Sequence, residues 1–276
     1  MFRKIFIASL AILAISCGNS DEKNAERLLE EGNIALSEKR FDDARNIIDS
    51  LRTTYPNAIE ARRKAISLEA HIELEAAKSG LSRIDSLLEQ TNREVERLKK
   101  GFVLEKDEKY QATGYYVVKN QISNAKHRTA LKAEVNEEGL MVLISVLKGQ
   151  KLNHKSIKVE TPSGESAQTP ECFSFLHHSV AGYVEESSYK LGEDGGVIKF
   201  ITESPGNITV TIQGSKEVKY QLSPSDKNAI KSCYELSTAM TKQRQLIQQA
   251  KDLNTKVKFY LKKISLDESQ NAGAEE

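Results

Sequence analysis

The sequence has no tryptophan, five prolines, three cysteines and no excess of either charge. Its 40 Lys and Arg are matched by 39 Asp and Glu over 276 residues, a formal net charge of +1. That balance removes the electrostatic case for a nucleic-acid partner or an acidic substrate. Hydrophobic residues make up 39% and charged residues 29%, too little apolar material for one thick core but too regular a pattern for disorder. Length predicts one or two domains. The motifs of common chemistries are missing as well. No phosphate-cradling Gly-Lys loop, Gly-x-Ser-x-Gly elbow, His-Glu-x-x-His or Cys-x-x-Cys occurs, so no catalytic and no cofactor-binding residue is assigned.

The longest apolar run is short. Ile5 to Ile15 follows Arg3 and Lys4 and ends in small residues, which is the pattern of a signal peptide over residues 1–16 and too short for a hydrocarbon core of roughly 30 Å. Leu13-Ala14-Ile15-Ser16-Cys17 resembles the lipobox of bacterial lipoproteins, with a small residue before the Cys. The family's usual Leu three places before that Cys is here Ala14, and Leu13 stands one place further back. The resemblance implies a diacylglyceryl group and fatty chains of the palmitate type on Cys17, loss of residues 1–16 and membrane anchoring. No Asp follows Cys17, which in that family implies the outer membrane of the bacterial cell envelope. Residues 17–24 are expected to be a lipidated polar tether. Within it Ser20-Asp21-Glu22 resembles the acidic export signal of Bacteroidota surface lipoproteins. Asp49-Ser50-Leu51 and Asp85-Ser86-Leu87 resemble the O-glycosylation tripeptide of the same phylum, although both fall on predicted helices.

Helix breakers are unevenly spread. Of 15 Gly, 11 lie between Gly101 and Gly214, and four of the five Pro lie between Pro162 and Pro224. The order predicted is therefore helix, then β, then helix. Ala25, Leu28, Leu29, Gly32, Ala35 and Leu36 share one helix face, and Phe41, Ala44, Ile48, Leu51 and Tyr55 share the next, which Pro56 ends. Leu28, Gly32, Ala35, Phe41, Ala44, Ile48, Leu51 and Pro56 resemble a tetratricopeptide repeat, with Glu31 departing from its apolar preference. An ordinary helical hairpin is the alternative. A third helix follows, with Ala58, Ala61, Ala65, Leu68, Ile72 and Ala76 on one face, and no second repeat is readable. The set predicts a docking or packing module rather than a long peptide groove.

Gly80 is read as an interruption. Beyond it Leu81, Ile84, Leu88, Thr91, Val95 and Leu98 step by threes and fours, and so do Leu246, Ala250, Leu253, Val257, Tyr260 and Ile264. Ser223-Pro224-Ser225-Asp226 predicts the capped start of the second of these helices. The two seams predict an antiparallel coiled-coil stalk; a homodimer through the same seams is the alternative.

Between residues 101 and 223 the period becomes two, as in Leu131, Ala133 and Val135, in Ile208, Val210 and Ile212, and in Val218, Tyr220 and Leu222. Turns are predicted at Asn136 to Gly139, Thr161 to Gly164, Gly192 to Gly196 and Gly214-Ser215. Leu140 to Leu147 predicts a central strand buried on both faces. Cys172 and Cys233 are a possible disulfide or a pair of free thiols. His177-His178 chelates one ion only from a loop, because neighbouring strand residues face opposite ways, so no metal ligand is assigned. Tyr110, Tyr115, Tyr116, Phe173, Phe175, Tyr183 and Tyr189 are read as core, with an exposed recognition surface as the alternative.

The fold class read is α+β. Repeat-like helices and a coiled-coil helix (25–100) and a long C-terminal helix (224–266) bracket an all-β sandwich or barrel-like domain (101–223), and residues 267–276 form a disordered tail. The expected function is that of a membrane-anchored, non-enzymatic binding or scaffold protein with an envelope protein or glycan as partner. An envelope hydrolase or glycan-processing enzyme with paired carboxylates in the β domain is the alternative.

Overall fold

A computed structural model describes residues 17–119, 121, 128–179 and 182–272. The expected signal peptide lies outside the described residues. Helices α1 (Cys17–Ser37), α2 (Phe41–Thr54) and α3 (Ile59–Lys99) come first. Strands β1 (Phe102–Glu105), β2 (Tyr115–Val118), β3 (Ala130–Asn136), β4 (Met141–Lys148), β5 (Ser156–Glu160), β6 (Ser166–Gln168), β7 (Phe175–Ser179) and β8 (Gly182–Lys190) follow. Helix α4 (Val197–Glu203), strands β9 (Thr209–Gln213) and β10 (Glu217–Gln221), and helix α5 (Pro224–Ala272) complete the chain. The mixed α+β class is as expected. No described helix is long and apolar enough to cross a membrane. The chain divides into two compact units, with the divisions inside α3 after Ser86 and inside α5 after Ile247.

The first unit is helical. Gly32 lets α1 approach its neighbours: a Cβ there would lie 3.2 Å from Leu68 Cδ2 and 3.4 Å from Ile48 Cδ1. Ala25, Ala35, Ala44, Ala58, Ala61 and Ala65 are fully buried around Ile48, Leu51 and Ile72, so small residues set the spacing and branched ones fill it. Arg45 bonds to Glu73, and Arg52 grips both oxygens of Glu69 at 3.2 and 2.6 Å, tying α2 to α3. The Arg52 guanidinium holds the Glu69 carboxyl below the usual range.

Three expectations change in this unit. The tether is helical, because α1 begins at Cys17 and the Glu22 carboxylate accepts the Ala61 N–H at 2.6 Å, one of the orphan donors at the start of α3. Gly80 does not break α3; a Cβ there would meet Leu253 Cδ1 at 3.4 Å, so the glycine admits α5 to close approach. Helix α5 continues to Ala272 rather than ending at 266. No Gly or Pro intervenes there, and Ser265 and Ser269 hydroxyls donate back to the Lys262 and Leu266 carbonyls. Ala70 and Leu74 of α3 cluster with Val257, Tyr260 and Ile264 of α5, so the two helices run antiparallel here.

The second unit holds two antiparallel sheets, six-stranded in the order β1-β2-β3-β4-β8-β7 and four-stranded in the order β10-β9-β5-β6. The predicted alternations are β3, β9 and β10, and each predicted turn is found; Gly139 (φ 82°) closes the β3–β4 turn with its N–H on the Asn136 carbonyl at 2.9 Å. Strand β4 is central, between β3 and β8. Its inner face, Met141, Leu143 and Leu147, is buried; on the outer face Val146 is buried too, while Val142 and Ile144 are half-buried, and Leu140 lies exposed before the strand. Both sheets are open, so no barrel closes among the described residues, and the region is not all-β. One core joins Leu131, Val135 and Leu143 of the first sheet, Ile157, Val159, Val210 and Ile212 of the second, Ile198 and Ile201 of α4, Val95 of α3, and Ile230, Cys233, Leu236 and Met240 of α5. The unit therefore extends from Leu87 to Ile247, beyond the 101 and 223 limits read from period alone.

Helix α5 starts where its cap predicts. The Ser223 hydroxyl accepts the Asp226 N–H at 3.1 Å, and Arg128 Nη2 meets both Asp226 oxygens at 2.7 and 2.6 Å. A second buried carboxylate fastens the sheets. Glu185 of β8, 1% exposed, accepts N–H bonds from Leu152 and Asn153 at 2.9 Å and from His154 at 3.1 Å. That turn abuts the β9–β10 turn, where Ser215 N–H donates to the Leu152 carbonyl at 2.7 Å and only glycine fits at 214, since a Cβ would lie 2.5 Å from the same oxygen. His154 is fully buried, with Nδ1 3.6 Å from Glu185 Oε2.

Burial lowers the His154 pKa more than Glu185 restores it, so the imidazole is neutral in the folded chain. The unfolded chain takes up a proton that the folded chain refuses, so stability is full above the ordinary histidine pKa of about 6.5 and falls as pH drops below it. Urea denaturation from pH 7.5 to 5 will show this loss, and His154→Leu will flatten that part of the profile. An unchanged slope in the variant would assign the loss to another group.

Candidate functional site

The edges of the two sheets differ in how they are guarded. Strand β10 carries Glu217 and Lys219, paired at 3.6 Å; β6 has three residues; β1 has four and ends in Glu105. Charge and shortness are the usual means of discouraging further strand pairing. Strand β7, Phe-Leu-His-His-Ser, has no charged residue and lies at the end of the six-stranded sheet. Its register with β8 sets Phe175 opposite Glu186, His177 opposite Val184 and His178 opposite Tyr183. Phe175 and His177 thus share the outer face, with ring centroids 5.9 Å apart, and His178 lies 4.4 Å from Tyr183 on the other.

Aromatic surface collects at this edge. Phe173, two residues before β7, is 100% exposed, Phe175 69% and Tyr183 42%. The reading of the aromatics as core is overturned for these three and for Tyr110, which lies exposed on the β1–β2 connection. It holds for Tyr189, while Tyr115 and Tyr116 are half-buried and Lys99 Nζ sits 5.3 Å above the Tyr116 ring. The cause of the difference is position: Tyr189 pairs with the central strand β4, whereas Tyr183 shares its face but pairs only with the edge strand β7, Phe175 stands on the outer face of that edge strand and Phe173 precedes any strand. An exposed phenylalanine leaves roughly 1.5 to 3 kcal/mol of burial unrealised, so Phe173 and Phe175, two residues apart, mark a candidate contact surface, while Tyr183 lies on the opposite face.

The other candidates separate. His177 and His178 stand on opposite faces of β7, and no group of three or more His, Cys, Asp or Glu among the described residues is placed to hold a metal. The possible disulfide is not formed; Cys172 and Cys233 are free thiols. Cys172 is half-buried where its N–H donates to the Lys155 carbonyl, and Cys233 is buried on α5, its thiol pKa pushed up by burial and then by Glu134. A thiol so held is inert as a nucleophile. Cys17 is the first residue of α1.

Two polar groupings escaped the sequence reading. Ser145 and Ser187 pair across β4 and β8 on the inner face that also carries Glu185 and faces His154. Serine, histidine and glutamate are the residue types of an acyl-transfer triad, but all four side chains here are at most 1% exposed. The second grouping is a cleft of about 650 Å³ lined by Glu105, Asp107, Glu134, Lys106, Gln111 and Tyr115. Burial, and then Glu105, raises the Glu134 pKa. A carboxyl whose titration is displaced beside a second carboxyl is an arrangement that acid–base chemistry uses. Period-two patterning places Glu134 on the outer face of β3 but is silent on its neighbours two strands away. Comparison with protein-family models, with curated proteins and with solved structures finds no match for this chain.

Proposed function

We propose that the chain is a lipid-anchored envelope protein that binds a partner without chemistry of its own, held at the outer membrane through acyl chains on Cys17. The observation that carries the binding role is the uncharged β7 edge with Phe173, Phe175 and Tyr183 exposed around it. An edge strand offers a row of main-chain donors and acceptors, and the aromatics add apolar area, a combination that suits an extended segment of an envelope protein better than a glycan. The helices serve as the stalk. Every residue of both heptad seams is buried or half-buried, whereas Phe259 and Leu261 beside them are exposed. Gly80 against Leu253 in one unit, and the Gln243 amide donating to Asn92 Oδ1 at 2.7 Å in the other, support an intramolecular antiparallel coiled coil over a homodimer. The buried alanines and Gly32 support the repeat-like reading of α1 and α2.

A second reading, an envelope hydrolase or glycan-processing enzyme, draws on the cleft of Glu105, Asp107 and Glu134. It is the weaker of the two, because Lys106 bonds Glu137 at 3.4 Å and the Asp107 carboxylate accepts its own loop's Lys109 N–H at 3.0 Å, which ties up part of the cleft.

Cys17→Ser will move the protein from the membrane to the soluble fraction; equal membrane retention would refute the anchor. Phe173→Ser combined with Phe175→Ser will leave thermal stability unchanged, since both side chains are exposed, and will remove the protein co-purified from membranes with the tagged wild type. Recovery of the same partner by this variant would place recognition elsewhere.

A further inference from the structure

The helical unit carries a feature that the β7 reading does not use. Two adjoining open depressions of about 570 and 740 Å³ lie between α1 and α3 and share Leu36 and Glu75 in their walls. Five cations line them, Lys39, Arg63, Lys64, Lys78 and Arg83, against the single carboxylate of Glu75. In a chain with 40 basic and 39 acidic residues this lining is rich in cations, although Lys39 and Arg83 also line a further depression with Asp42 and Asp43. Internal pairing consumes part of it. Lys78 neutralises Glu75 at 2.7 Å, Lys64 meets Glu26 at 3.0 Å and Arg63 reaches Glu60 at 3.8 Å, while Lys39 and Arg83 have no ion pair among the described residues. Leu36, Phe41 and Leu68 supply apolar surface between the charges.

We infer that this groove binds an acidic peptide segment of a partner protein, one that carries apolar side chains among its carboxylates. The cations meet the carboxylates and the apolar walls take the other side chains. A flat anionic bilayer does not reach the floor of a concave groove, and an acidic glycan has no apolar side chains to place there. Exposed ion pairs are individually weak and screened by salt, so the site selects by charge sign and its affinity falls with ionic strength. The inference is independent of the β7 edge and of the lipid on Cys17.

The test uses the full chain with Cys17→Ser, in fluorescence anisotropy with a labelled peptide of about 15 residues alternating Glu and Leu blocks, and with the same peptide carrying Lys for Glu. The acidic peptide binds, the basic one does not, and raising salt from about 0.05 to 0.5 M weakens binding. Arg63→Glu with Arg83→Glu lowers affinity by about tenfold or more, while Arg63→Lys with Arg83→Lys stays within about threefold of wild type. Equal affinity in the charge-reversed variant, equal binding of the basic peptide, or binding of phosphatidylglycerol vesicles or polygalacturonate in place of the acidic peptide would overturn the inference.

Discussion

The inner face of the six-stranded sheet has to be covered, and a four-stranded sheet is too narrow to cover it. Leu131, Leu143 and Leu147 bury roughly 1.5 to 3 kcal/mol each on that face, and the same core contains Val95 of α3 and Ile230, Leu236 and Met240 of α5. The helices are thus part of the β unit's interior. The join is tight: Ser237 donates to the Gly139 carbonyl at 2.6 Å, and any Cβ at 139 would lie 2.7 Å from Met240 Cβ. A turn glycine needed for its positive φ is also the point where the helix lies on the hairpin.

With the inner face closed in this way, the β7 edge and the outer surfaces of the helices are among the parts left open in the described residues. Glu185 links the two sides of β8. Its carboxylate gathers the 152–154 turn inside, while the same strand pairs outside with β7 and its exposed aromatics. The proposed binding role draws on this uncharged edge strand and the aromatics exposed beside it. The inferred basic groove of the helical unit would be a second surface of different chemistry, selecting by charge where the proposed edge would select by strand pairing and apolar area.

Much of this architecture was legible in residue spacing. Period two in Leu131–Val135 and Val210–Ile212, the Ser223-Pro224 cap and the glycine turns each act locally, and local rules survive folding. What failed depended on distant neighbours. Gly80 reads as a breaker until Leu253 lies against it; residues 17–24 read as a polar tether until Ala61 offers Glu22 an orphan N–H; the aromatics read as core because strand aromatics are usually inside, and nothing in Phe175 says that its strand is last in the sheet, or in Phe173 that it stands before the strand. Glu185, in a Val-Glu-Glu-Ser run, gives no sign that three N–H groups from another loop converge on it. The proposed lipidation of Cys17 rests on a signal that a processing enzyme would read, so the fold does not bear on it.

The most direct test of the account is site-specific photocrosslinking in living cells, with benzoylphenylalanine at position 175 and, as a control, at Lys216 in the β9–β10 turn. The account predicts a discrete envelope-protein adduct from position 175 that is absent from position 216. No adduct from 175, or the same adducts from both positions, would contradict it.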